Sequence, residues 1–94
     1  MNVSVADKLD KIADFLEDKG WTQGRTCLLG RMCLLGAAAA LFTWEEQNAP
    51  LEYLRRYLHT YNLAGWNDEP YHTQEKVVAT LRSAAEKART IDIF

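Results

Sequence analysis

The sequence predicts an all-α fold, a compact bundle of about four helices forming a single domain over residues 1–94, on three observations. Apolar residues recur at spacings of three and four in two long segments, near residues 4–19 and 73–90, the period of a helix with one buried face. Glycine, proline and capping residues punctuate the stretches between them. No convincing alternating pattern of a strand occurs anywhere. A chain of 94 residues, 48% hydrophobic and 26% charged, forms one modest core and has no room for a second domain.

Ser4 is read as the cap of a first helix to about Lys19, with Val5, Leu9, Ile12, Ala13 and Leu16 on its inner stripe and Gly20 as terminator. Trp21 then turns inward as a core anchor. The segment from Thr22 to Gly30 is turn-like, and a six-residue tandem repeat begins in it: Gly24-Arg25-Thr26-Cys27-Leu28-Leu29, then Gly30-Arg31-Met32-Cys33-Leu34-Leu35. On a helix, copies six residues apart face directions about 120° apart, so both cannot present one side to the core. The second copy is read as the start of a buried helix through Phe42, the first as a loop or short extended piece. Thr43 to Glu46 has capping-box spacing and starts either another turn of helix or the continuation of a kinked one. Pro50 suits the first position of the next helix, which runs to about Tyr61 with Leu51, Leu54 and Leu58 inside. Asn62 to His72 is expected as a loop whose Trp66 is a second core anchor. Thr73 caps a final helix to about Thr90, burying Val77, Val78, Leu81, Ala84, Ala85, Ala88 and Ile91.

Three phrases stand out: Gly20-Trp21-Thr22-Gln23-Gly24, Cys33-Leu34-Leu35-Gly36-Ala37, and Trp66-Asn67-Asp68 leading through Pro70 to Thr73-Gln74-Glu75. With them the chain resembles an uncharacterised family of small proteins from actinobacteria and phages, a domain of unknown function, over about Leu9 to Ala88. Similar sequences often carry Gly-Arg where Tyr71 and His72 stand here. The resemblance implies motif boundaries and a phage or actinobacterial setting, and it implies no chemistry.

Composition bounds the function. The net charge of −2 is too small for the overall field to select a partner. The longest apolar run, Cys33 to Phe42, is shorter than the roughly 18 residues of a membrane span, and the N-terminus lacks a secretory pattern, so a protein of the bacterial host's cytoplasm is expected, with no membrane partner. Cys27 and Cys33 have neither zinc-knuckle nor redox spacing and are read as buried free thiols; no metal and no cofactor are expected.

The sharpest functional signal is charge. Asp7, Asp10, Asp14, Glu17 and Asp18 fall within an arc of about 100° on the first helix, and like charges at these spacings cost roughly 0.2 to 0.5 kcal/mol per pair. Asp10, Asp14, Glu17 and Asp18 are therefore candidates for contact with a basic partner. A second candidate surface is the stripe of Tyr53, Tyr57 and Tyr61, rigid amphipathic aromatics beside Arg55, Arg56 and His59. The first reading is a non-enzymatic binding protein, a phage-type accessory or anti-defence protein that engages a basic surface of a host or defence protein. An acidic helix disfavours long nucleic acid, and homo-oligomerisation is left open. The alternative is a small-ligand binder that sequesters a nucleotide-like molecule near Trp66, Asn67, Asp68 and His72. A third is a cysteine-dependent enzyme in which Cys33 is nucleophile, His72 base, and Asn67 or Asp68 orienter; against it, Cys33 sits in an apolar run.

Overall fold

The computed structural model describes residues 3–24 and 27–90. Five helices make the fold: α1 (Val3–Lys19), α2 (Leu34–Leu41), α3 (Trp44–Leu58), α4 (Leu63–Asn67) and α5 (Gln74–Thr90). A hairpin of two-residue strands, β1 (Cys27–Leu28) and β2 (Arg31–Met32), stands between α1 and α2. The architecture is mostly all-α, as the periodicity predicts.

The core is built where apolar stripes meet. From α1 come Val5, Leu9, Ile12, Ala13 and Leu16, joined by Ala6; from α5 come Val77, Val78, Leu81, Ala84, Ala85 and Ala88. The α5 alanines carry little bulk, so α1 and α5 pack along their lengths. Leu34, Ala37 and Ala38 of α2 and Leu51, Tyr53 and Leu54 of α3 close the remaining sides. Burying one such leucine is worth about 1.5 to 3 kcal/mol. Ile91, expected at the end of the α5 stripe, lies outside the described residues, as do Arg25 and Thr26 of the first repeat.

Several local expectations are corrected. Helix α1 begins at Val3, so Ser4 lies in its first turn and is not its cap. The repeat forms a hairpin: Cys27 pairs with Met32 and Leu28 with Arg31, and the junction of the two copies, Leu29-Gly30, is the turn. Two-residue strands are too short to show an alternating pattern. The strands hold because β2 also bonds on its other side, Met32 N–H donating to Gly20 O at 3.0 Å and Thr22 N–H to Met32 O at 3.1 Å. Gly20, at φ +95, ends α1 and admits the Arg31 side chain where a Cβ would sit 2.9 Å from it.

Pro50 lies inside α3, seven residues after the Thr43 cap. A proline has no N–H for the carbonyl four residues earlier, here that of Glu46. That carbonyl instead lies 3.4 Å from the Lys8 ammonium of α1, which supplies a donor the helix lacks. The Thr43 capping box is formed, with Thr43 N–H to Glu46 Oε1 at 2.9 Å and Glu46 N–H to Thr43 Oγ1 at 3.2 Å. Helix α3 stops at Leu58, short of Tyr61, because His59 takes a left-handed conformation (φ 56, ψ 42). Asn62 then caps the extra helix α4, its Oδ1 accepting from Gly65 N–H at 2.9 Å.

Candidate functional site

The three distinctive phrases meet at one residue. Asn67, at the end of α4, is 0% exposed. Its Oδ1 accepts from the Trp21 indole at 2.7 Å and from Leu34 N–H, at the start of α2, at 3.1 Å. Its Nδ2 donates to Thr22 O at 3.1 Å and to Asp68 Oδ1 at 3.0 Å. An amide side chain offers two donors and two acceptor lone pairs, and all four are used within the protein. Around it, Gln23 Nε2 donates to the carbonyls of Asn67 (3.1 Å) and Glu69 (2.7 Å), and Trp21 N–H to Gln74 Oε1 at 3.0 Å. Gly24 N–H donates to Asp68 Oδ1 at 2.8 Å. That bond, with the one from Asn67, holds the Asp68 carboxyl below the usual aspartate range.

The structure thus brings the ligand candidates Trp66, Asn67, Asp68 and His72 together, with polar groups of Asn67, Asp68 and His72 turned to structural partners. Trp66 is half-buried and packs on the core, as does Trp21. The His72 ring lies 4.1 Å from the Trp66 indole, and its Nδ1 is 2.6 Å from Trp66 O, so Nδ1 carries the hydrogen. Cys33 is buried at the N-cap of α2, its sulfur accepting from Gly36 N–H at 3.3 Å. Cys27, expected to be buried, is exposed on β1, since the hairpin carries it away from the core.

The acidic stripe is placed on one face, and α5 answers it. The Arg82 guanidinium contacts Asp10 (3.3 Å), Asp14 (2.7 Å) and Glu17; Arg89 contacts Asp10 (2.8 Å) and Asp7 (3.4 Å). These carboxylates raise the pKa of both guanidiniums, chiefly through the hydrogen bonds that Arg82 donates to Asp14 and Arg89 donates to Asp10. Asp18 lies outside this lattice, 3.5 Å from Lys19. The like-charge cost expected from the sequence is offset by cations seven residues apart on the facing helix, which the α1 sequence alone does not reveal.

The tyrosine stripe is split. Tyr53 is buried in the core, Tyr57 is half-buried beneath the Lys87 ammonium at 5.8 Å, and Tyr61, past the end of α3, is 97% exposed. Two further large apolar side chains are exposed away from this stripe. Trp44, the first residue of α3, is 77% exposed and Leu29, at the hairpin tip, 95%. Among the described residues, Leu29 (φ 52) and His59 (φ 56) are the two non-glycine residues with positive φ. Neither is marked by periodicity; the Leu-Gly step of a hairpin turn is the one sequence signal for Leu29.

A family model described as a family of unknown function, DUF6197, matches residues 1–87. No curated protein and no solved structure matches the chain significantly.

Proposed function

The chain belongs to the DUF6197 family, and we propose that it acts as a non-enzymatic binding protein that engages a basic surface of a partner protein, with Leu29 as its apolar contact. Leu29 carries the reading. A two-residue hairpin turn with both φ positive suits Asn-Gly, and a branched residue in the left-handed region costs about 1 to 2 kcal/mol. Leu29 bears that cost while nearly all its side chain stays in water, so folding gains nothing from the choice of leucine. A partner pocket would.

The hairpin is a stiff support for such a contact. Its second strand is bonded to Gly20 and Thr22, and the turn before it is tied to the Asn67 cluster through Gln23 and Gly24. The acidic face ends near it, since Glu17 and Asp18 are followed by Lys19 and then by the Gly20 junction. Four carboxylates, Asp7, Asp10, Asp14 and Glu17, against the two α5 guanidiniums leave that face net negative, which suits a basic partner and speeds its approach. In biological terms this is a phage-type accessory occupying a host or defence protein, a setting supported by the family resemblance of the three phrases.

The test is affinity capture from bacterial lysate with the wild type, Leu29→Asn, and Asp14→Asn/Glu17→Gln/Asp18→Asn. A partner retained by the wild type, lost with Leu29→Asn and released by rising salt supports the proposal. Equal capture by all three proteins removes it.

A further inference from the structure

At the C-terminal end of α3 lies a groove of about 500 Å3 lined by Glu52, Arg55, Arg56, His59, Thr60 and Tyr61. It shares no residue with the hairpin tip or the acidic face. We propose that this groove binds a small molecule joining a phosphate monoester to a planar ring, of which a nucleoside monophosphate is the simplest form.

The charge of the lining is the first argument. Arg55 and Arg56 both lean on one carboxylate, Glu52, at 3.7 and 3.4 Å. The lining carries two guanidiniums and one carboxylate, and ion contacts of the length seen to Glu52 on an exposed surface exchange readily for a doubly charged phosphate. Guanidinium forks match phosphate oxygens with paired donors. The Thr60 hydroxyl adds a further donor on the same wall.

The second argument is the turn that shapes the groove. Thr60 N–H donates to Arg55 O at 3.0 Å and His59 N–H to Arg56 O at 3.3 Å, the pair of bonds that closes a helix when the first residue after it is left-handed. Glycine fills that position most easily. Here it is His59, whose imidazole contributes nothing to the closure and stands in the groove wall. Because the same carbonyls are taken up by the cap, the negative end of the helix is blunted where the anion would sit. The third argument is size and shape. The volume falls within the range of small-molecule sites, roughly 300 to 1,000 Å3, and the exposed Tyr61 ring offers a face for stacking.

The experiment is an amide and arginine side-chain NMR titration of the full chain with adenosine monophosphate, inorganic phosphate and adenosine in parallel. Saturable shifts confined to residues 52–61 are expected for the monophosphate, with phosphate and adenosine each at least about tenfold weaker because each lacks one half of the contact. Arg55→Gln/Arg56→Gln should weaken the monophosphate by at least about tenfold as well. His59→Gly relieves the backbone, so it should melt at a higher temperature than the wild type yet bind more weakly, a pairing that a purely structural histidine would not produce. Absence of saturable shifts, shifts centred on other residues, adenosine binding as tightly as its monophosphate, or undiminished binding by the double arginine variant would each overturn the proposal.

Discussion

Trp21 and Asn67, 46 positions apart, are joined by a 2.7 Å hydrogen bond from indole to side-chain carbonyl, and through it the turn after α1 is fastened to the end of α4. The same carbonyl oxygen receives Leu34 N–H, so one buried atom ties three segments together. Asn67→Ala would strand donors and acceptors on Trp21, Thr22 and Leu34, each costing about 1 to 3 kcal/mol where water cannot reach. A loss of about 3 kcal/mol or more in urea denaturation is expected. Trp21→Phe keeps most of the packing and removes one donor, and should cost clearly less. If Asn67→Ala unfolds at the wild-type midpoint, the cluster does not hold the fold.

Leu29→Asn is expected to stabilise the protein by about 0.5 to 1 kcal/mol, since asparagine tolerates the left-handed region that leucine resists. A higher melting temperature together with lost partner capture would separate the tip's binding role from any role in folding. A lower melting temperature would mean that Leu29 makes stabilising contacts within the chain.

Acid should loosen two points at once. The Asp68 carboxyl is held below its ordinary value of 3.8 by the Gly24 amide and then Asn67, and the Glu46 carboxyl below 4.5 by its bonds with Thr43. A depressed carboxyl binds fewer protons in the folded state, so its contribution is present above the unfolded pKa and is lost as pH falls through the folded one. Stability should therefore be level near neutrality and decline below about pH 4.5. Asp68→Asn should flatten part of that decline, which denaturation midpoints measured between pH 2 and 6 would reveal in the roughly four-unit window. An unchanged acid limb in this variant would show that Asp68 is not a source of it.

Arg82→Gln removes the cation shared by Asp10, Asp14 and Glu17 and leaves their mutual repulsion uncompensated. The pairs are partly exposed, so a loss of about 1 kcal/mol at low ionic strength is expected, shrinking toward zero at 1 M salt. A penalty that does not respond to salt would point to packing of the arginine stem instead.

Much of the fold was legible because helices α1 and α5 carry their buried faces in plain periodicity, and Thr43-Trp44-Glu45-Glu46 spells its own cap. What escaped depends on partners distant in the chain. Pro50 reads as a helix start because its missing donor is supplied by Lys8, on another helix. The acidic stripe reads as uncompensated because Arg82 and Arg89 lie on α5, about 70 to 80 positions away. Tyr61 reads as the third tyrosine of a stripe because nothing in its spacing shows that His59 has already turned the chain. At the candidate sites, the Trp66-Asn67-Asp68 phrase stood out for its residue types, but whether a buried asparagine faces a ligand or its own backbone depends on the fold around it.

The packing of α1 along α5 also sets an order of events during synthesis. Helix α1 leaves the ribosome well before α5, its main apolar partner, so it waits with Leu9, Ile12 and Leu16 uncovered until α5 emerges. Closing so long a loop before the reward arrives slows folding relative to a bundle of neighbouring helices. A nascent chain arrested after α4 should thus stay sensitive to protease and prone to chaperone capture, and should become resistant only when α5 has cleared the exit tunnel.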